Sequence, residues 1–360
     1  MRIALVVSAY DPAVGGVETH VRHLADGLVA GEDDVTVVTH RLGADWPDEE
    51  RRGRLVVRRF PLTVRAVDYR FSTSLGSFLR SARDAFDVVH VHSYHTLVGV
   101  NALLARAGPL VVTPHYHGTG HTRFRAALHH PYRAVGGRVL RSSRAVVCVS
   151  RAEARWLAAD FPDVQGRIVV IPNGTRAPGD AGGSAVAGPG DVVSIGRLED
   201  YKRGDLLVEA VHRLPAPARL VLVGTGPAGD RLAALARHLG MADRVVLAGR
   251  LPEDDVAATL HRAGVVASMS EHEAFGMGLA DGLAAGARAV ASDIPAHREV
   301  VALAGPGAAA TLVTPGDVAG LAAALGAALA AGRPDRPSRL PSWEDVVFRT
   351  RALYSEVGAP

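Results

Sequence analysis

Lys202 is the only lysine in this 360-residue chain; the other 39 of its 40 basic side chains are arginine. It lies five residues after Arg197 in SIGRLEDYKRGDLLVEA, where Gly196 ends a β-like run and GDLLVEAVHRL opens a helix-like one. Two cations on a loop at the carboxyl end of a strand are placed to grip a diphosphate. Arginine serves as a planar fork and lysine as a compact, movable point charge. A second loop, SMSEHEAFGMGLADGLAAG, sets Glu273 just ahead of Phe275 and Gly276, then a glycine-loosened helix from about Met277 to Ala285. The amides of Gly276, Met277, Gly278 and Leu279 would face an anion, and Asp281 sits in the early turns, where negative charge suits the helix dipole. A third loop, SAYDPAVGGVETHV, puts Gly15 and Gly16 before a helix starting near Val17. Glycines there open the backbone N–H groups to a ligand, although such a pair also serves a plain tight turn.

Other chemistries fit less well. As acid and base of a glycosidase, Glu273 and Asp281 are eight residues apart. At about 1.5 Å rise per residue that is roughly 12 Å, beyond the roughly 5–9.5 Å such carboxylate pairs use. They read instead as holders of two ends of one long ligand. Histidines in HVHSYH and HYHGTGH invite a zinc reading, since alternate residues of a strand share a face. The absence of H-E-x-x-H and of any carboxylate between Val88 and Ala152 sets that reading aside, so no metal is expected.

The elements that must position these loops follow from the pattern. Short β-branched runs (IALVVS, VTVVTH, LVVRRF, DVVHVHS, LVVTPHY, AVVCVS, IVVIPNG) alternate with helical stretches, which marks parallel βαβ units. The Gly/Pro/Ala stretch TRAPGDAGGSAVAGPG then interrupts, and DVVSIGR, RLVLVG, RVVLAG, GVVASM, RAVASD and ATLVTP restart the alternation. We expect an α/β chain of two doubly wound parallel-sheet domains: residues 1–173, a linker at 174–190, and residues 191–341. The final helix, SWEDVVFRTRALYSEV from Ser342 onward, would return to the first domain. Ligands of such sheets bind at the carboxyl ends of the strands, and in a two-sheet protein those ends can face each other across a cleft.

Bulk properties agree with a soluble globular chain: 48% hydrophobic and 21% charged residues. The single cysteine, Cys148 in AVVCVS, allows no internal disulfide and reads as a buried, inert thiol. The N-terminal apolar run ends at Asp11, too soon for a secretion signal. A cytoplasmic location follows as the expectation. Net charge is +3, divided as 22 − 16 = +6 up to Thr175 and 18 − 21 = −3 beyond it. The first half is therefore either a solvated basic face or a surface that meets phosphates, including those at the inner face of a membrane. Sparse aromatics argue against nucleic acid.

GRLEDYKRG followed by EHEAFGMGLADGLAAGARAVASDIPAHREVV resembles the retaining GT-B glycosyltransferases of family 4. The resemblance covers nearly the whole chain, through GGVETHV, DVVHVHS, TPHYHG, VSRAE, IPNG and the SWE start of the last helix. It implies two Rossmann-like domains, acceptor-binding then donor-binding, and a nucleoside-diphosphate sugar as co-substrate with no cofactor. By the resemblance Arg197 and Lys202 bind the donor diphosphate and Glu273 contacts the transferred sugar. His115 lies near sugar and acceptor, Arg250 and Leu251 meet the nucleobase with Gly224 and Gly226 beside them, Gly15 and Gly16 meet the acceptor or distal phosphate, and His92 is either a residue approaching the acceptor or a satisfied structural histidine. Asp281 stands where the family's second glutamate holds the ribose, one methylene shorter. The implied reaction moves a hexose from a UDP- or GDP-linked donor to a hydroxyl of a small molecule, glycan or lipid-linked acceptor. A nucleotide-sugar epimerase and a non-catalytic nucleotide-sugar-binding protein are the rival readings.

Overall fold

The computed structural model describes residues 1–65, 70–116, 123–176, 182–334 and 338–358, with the side chains of residues 123–131 left aside. The chain divides into one unit of Met1–Asn173 with Trp343–Pro360, and a second of Gly174–Ser342.

The first unit carries β1 (Arg2–Val6), α1 (Gly16–Ala30), β2 (Asp34–His40), β3 (Glu49–Arg52), β4 (Leu55–Phe60), a two-stranded ribbon of β5 (Val64–Arg65) and β6 (Arg70–Phe71), and α2 (Thr73–Ser81). It continues with β7 (Val88–His92), α3 (Val98–Ala105), β8 (Leu110–Thr113), α4 (Arg123–Ser142), β9 (Ala145–Cys148), α5 (Arg151–Asp160) and β10 (Ile168–Val170). Among the described residues its main sheet runs β10-β9-β8-β7-β1-β2-β4-β3, parallel except for β3. The central strands are buried on both faces: every residue of β7 and all of β1 except Arg2 are buried. Helices cover both faces of such a sheet, which is why these strands are continuous Val/Ile/Leu runs rather than alternating ones. The EERR segment of β3 escaped the sequence reading because a charged edge strand carries no apolar period; its charges also blunt the edge against pairing with other chains.

The last helix belongs to this unit. Across α12 (Trp343–Gly358), Arg351 Nε donates to the fully buried Asp33 at 2.8 Å, and the buried Tyr354 hydroxyl meets His90 Nδ1 at 2.5 Å. Polar ties of this kind, added to the buried Val346, Leu353 and Val357, dock a segment whose amphipathic pattern alone could not name its partner.

The second unit holds β11 (Asp191–Ile195), α6 (Gly204–His212), β12 (Arg219–Val223), α7 (Gly229–His238), β13 (Val245–Gly249), α8 (Glu253–Arg262), β14 (Val265–Ser268), α9 (Met277–Ala284), β15 (Arg288–Ser292), α10 (Pro295–Leu303), β16 (Ala310–Val313) and α11 (Val318–Ala331). Its sheet is parallel, ordered β13-β12-β11-β14-β15-β16. That is a doubly wound order, with the direction of strand addition reversing between the first strand, β11, and the fourth, β14. Valines and leucines of β11, β12 and β14 pack with α6, α7 and α11 in one core that includes Val192, Leu207, Leu220, Leu222, Val265 and Leu325. The described part of the expected 174–190 linker is tied into this unit: Ser184 N–H donates to Asp255 and Val186 N–H to Thr259. Residues 177–181 of that stretch lie outside the described residues.

Candidate active site

In the second unit the loops after β11 and β14 flank the point where strand order reverses. Between β11 and α6, Gly196, Arg197 and a single 3-10 turn at Asp200–Lys202 form the first wall. Gly196 N–H donates to Val223 O and Leu198 N–H to Thr225 O, so this loop is laid along the one that follows β12. The approach is very close. A Cβ on Gly224, whose φ is +131°, would lie 2.0 Å from Gly196 O, and one on Gly226 would lie 2.4 Å from Leu198 O. Two glycines expected to flank a nucleobase thus have a second task, seating the Arg197–Lys202 loop.

Lys202 forms an ion pair with Glu273, both side chains largely withdrawn from solvent at 24% and 15% exposure. Burial opposes charge on each partner, but their attraction prevails: the lysine is held above its usual value and the carboxyl below. Ser270 Oγ donates to Glu273 Oε1 at 2.7 Å, and the Lys202 ammonium lies 5.3 Å from the Tyr201 ring centroid. Tyr201 in turn stacks on His272 at 4.5 Å, and Glu271 N–H donates to Tyr201 O, clamping the two loops together. An ammonium has three N–H donors, so the bond to Glu273 leaves two for a ligand.

Behind Glu273 stands a residue that sequence reasoning passed over. His297, fully buried on α10, donates through Nδ1 to Ser292 O at 2.9 Å and accepts at Nε2 from Ser268 Oγ at 3.2 Å. Ser292 Oγ also donates to Ser270 O at 2.6 Å. A histidine within PAHREVV gives no sign in sequence of packing under a loop some 25 residues earlier; only spacing in three dimensions shows it.

Arg197 takes a different position from Lys202. Its side chain is 65% exposed and pairs with Glu199 rather than with Glu273. Both cations still line one pocket with Gly196, Glu199, Ser268 and Ser270.

Gly276 caps α9 with φ +102°, a conformation that favours glycine, and a Cβ there would press on His297 at 3.1 Å. A Cβ on Gly278 would lie 2.9 Å from Ile195 O, so α9 sits tightly over β11. Leu279 and Ala280 N–H both donate to Gly276 O. Of the four amides expected to face an anion, that of Leu279 is therefore engaged in the helix itself. Phe275 and Leu279 are buried at 2% and 1% exposure, anchoring the loop and the helix in the core. Asp281, on the same helix, has its carboxyl pushed up to about 6 by burial, against the opposing pull of Arg176. Arg176 also pairs with Glu253 at 2.7 Å. Arg250, exposed, and Leu251, half-buried, follow β13 on the same sheet edge.

The first unit gathers its expected residues at the corresponding edge of its own sheet. His92 ends β7 and is fully buried; His115 follows β8 with φ +48°. Gly15 caps α1 and Gly16 opens it, and a Cβ at Gly16 meets nothing within 4 Å. His20, one turn into α1, joins them, its ring centroid 5.3 Å from that of His92 and 5.1 Å from that of His115. The sequence reading missed His20, although its position four residues after Gly16 places it on the same helix face. Burial, with the neighbouring imidazoles, holds His92 and His115 well below the ordinary histidine value, so both rings are neutral at pH 7. His117 and His121 of the HYHGTGH segment lie outside the described residues.

Two parallel-sheet units, one presenting a half-buried Lys–Glu pair beside a glycine-capped helix at its strand-order reversal, define a GT-B glycosyltransferase. Family models agree along the chain: Glycosyltransferase Family 4 matches residues 14–177, and Glycosyl transferases group 1 matches residues 184–339. The chain belongs to the family 4 glycosyltransferases. It is 29% identical, over 90% of its length and 84% of the relative's, to a phosphatidyl-myo-inositol mannosyltransferase of Mycolicibacterium smegmatis. It is 32% identical to a D-inositol 3-phosphate glycosyltransferase of Nocardia farcinica, over 72% of this chain and 57% of that one. In fold it is similar to a sucrose-phosphate synthase from Thermosynechococcus elongatus, with TM-score 0.77, 21% identity and coverage of 99% and 98% of the two chains. It is also similar to Anabaena HepE in complex with UDP-glucose, with TM-score 0.69, 18% identity and coverage of 99% and 95%. No helix among the described residues is long and apolar enough to cross a membrane.

Proposed function

We propose that this glycosyltransferase moves a hexose from a UDP- or GDP-linked donor to a hydroxyl acceptor with retention of anomeric configuration. The observation that carries the reading is the half-buried Lys202–Glu273 pair at the strand-order reversal of the second unit. Lys202 has donors to spare for the diphosphate, with Arg197 as an exposed fork on the pocket's rim and the Met277 and Gly278 amides at the start of α9. As the glycosidic bond breaks, negative charge grows on the departing diphosphate, and donors already aimed at it stabilise that charge without rearrangement. Glu273, pinned by Lys202 and Ser270, accepts from hydroxyls of the transferred sugar, and Asp281 accepts from the ribose. Arg250 and Leu251 bear on the base. The departing phosphate oxygen takes the acceptor's proton on the face it leaves from, so the reaction runs without a separate general base. His115, half-buried and neutral at pH 7, serves the acceptor side as a hydrogen-bonding group rather than as a cation, and His92 packs against it with both ring nitrogens out of solvent.

Thermal-shift screening against UDP-, GDP- and dTDP-sugars identifies the donor. Product analysis by proton NMR then reads the anomeric configuration, with an acceptor panel that starts from inositol and inositol phosphates because the relatives' names contain them. An inverted product would overturn the front-side mechanism. Isomerised donor in the absence of acceptor would point to an epimerase.

A further inference from the structure

His20, His92 and His115 come from α1, the end of β7 and the segment after β8, and each offers a ring nitrogen within 4.8 Å of the others. His20 and His92 are buried, at 3% and 0% exposure. Both ring nitrogens of His92 and Nε2 of His115 are out of solvent with no hydrogen-bond partner among the described residues. Protein interiors satisfy nearly all their buried polar atoms, so three orphans in one place call for a water or an ion between them. The adjacent His90 shows the contrast. Its Nδ1 meets the Tyr354 hydroxyl and its Nε2 meets Thr113 Oγ1 at 2.7 Å, so the fold uses that ring completely.

His20 is held differently again. Nδ1 lies 2.8 Å from Asn173 Oδ1, which can only accept, so Nδ1–H donates and Nε2 keeps its lone pair. Metal-binding histidines are set in this manner, one N–H tied to an oxygen that fixes tautomer and orientation, the other nitrogen left for the ion. Three imidazoles without carboxylate or thiolate suit Zn²⁺, Co²⁺, Ni²⁺ or Cu²⁺ and not Mg²⁺ or Ca²⁺. Tetrahedral bonds of about 2.0–2.1 Å put nitrogens roughly 3.3 Å apart, so ring movements of about 1 Å would close the site.

We propose that His20, His92 and His115 form a binding site for one zinc-class divalent ion, with the remaining coordination position open to water or a hydroxyl. The sequence reading set metal aside for want of an H-E-x-x-H motif and of any carboxylate between Val88 and Ala152. The ligand it lacked sits on a helix far off in sequence. The inference goes beyond glycosyl transfer, and its tests read metal rather than turnover, so its failure leaves the donor-site reading untouched.

Tag-free full-length protein, stripped with chelator, is titrated with Co²⁺ under visible absorption and with Zn²⁺ by calorimetry. The expected result is one ion per chain, the intense visible bands of four- or five-coordinate Co²⁺, and no competition from millimolar Mg²⁺. His20→Gln and His92→Gln should each weaken Zn²⁺ binding a hundredfold or more, and Asn173→Ala about 10- to 100-fold through loss of the His20 orientation. His23→Gln, which removes a neighbouring ring outside the group, should leave the affinity within threefold. Pulsed EPR of the Cu²⁺-loaded wild type counts coordinated imidazoles directly and needs no variant to fold; three are expected. No saturable uptake by the wild type, fewer than two imidazoles on Cu²⁺, or an unchanged affinity in a folded His92→Gln would overturn the proposal and leave the cluster as a water site.

Discussion

Replacing Lys202 by methionine keeps the stem and removes only the charge. Glu273 would retain the Ser270 hydroxyl at 2.7 Å but lose its cation, in a place where its side chain is only 15% exposed. Removing one partner of a buried ion pair costs about 3–5 kcal/mol; the remaining exposure points to the lower end, about 3. For a unit of this size about 1 kcal/mol shifts the melting temperature by about 2–4 °C, so a fall of about 6–12 °C is expected near neutral pH. The pH dependence has a definite sign. In the wild type Glu273 titrates below its ordinary 4.5, so the pair's stabilisation is complete above that value and fades as pH drops through the lower folded value. Without Lys202, burial is opposed only by Ser270 and His297 and raises the carboxyl, so the variant's deficit grows as pH rises above 4.5. Scanning calorimetry at pH 4 and pH 7.5 should find it small at the first and full at the second. Adding Glu273→Gln removes the stranded charge and should recover at least about 1 kcal/mol, the coupling expected of groups in contact. In kinetics, Lys202→Met should lower kcat by about 10²–10³, the usual cost of one aimed donor. A melting temperature within 2 °C at both pH values, together with kcat within threefold, would refute both the structural and the catalytic argument.

Burial holds the Asp281 carboxyl up to about 6, so nucleotide affinity by calorimetry should strengthen as pH rises from 5 to 7 and level off above, with Asp281→Asn flat over the same range. The same shift destabilises the wild type once the group ionises, so Asp281→Asn should melt higher than wild type at pH 8 and not at pH 4. Asp281→Ala should raise donor KM by about 10- to 100-fold, the loss of one or two hydrogen bonds to a charged group, and lower kcat less. Gly224→Ala drives a Cβ to 2.0 Å from Gly196 O at a backbone φ of +131°; a loss of about 2–4 kcal/mol from overpacking and strain and of nucleotide binding should show by thermal shift. His297→Phe keeps the bulk but strands Ser292 O and Ser268 Oγ, so kcat should fall about tenfold with KM little changed, since Glu273 loses the frame behind it rather than its contact.

Parts of this site were written in the sequence because a strand-to-helix loop is short and its chemistry is contiguous. Arg197 and Lys202 follow the end of β11 by two and seven residues, and Glu273, Gly276 and Asp281 follow that of β14 by five, eight and thirteen, ends that β-branched runs mark clearly. The edge strand Glu49–Arg52 was hidden because polar alternation carries no burial signal. His297, Ser268 and Ser292 were hidden for another reason: each is an ordinary residue of its own element, and its role comes only from the neighbour the sheet order supplies.

The amino-acid order by itself determined that there are two parallel α/β units, because apolar runs of period and length suited to buried strands recur on both sides of one interruption. It also determined which loops bear charge. Tertiary structure decided the pairings. The sheet order set β14 beside β11, so a carboxylate 71 residues from the single lysine became its ion-pair partner. A helix near the start, the ends of two strands and the last residue before the unit boundary, Asn173, came together as one imidazole cluster. Local propensity cannot encode such meetings, because they rest on which strands lie side by side, and that is settled by burial of the whole sheet rather than by any one segment.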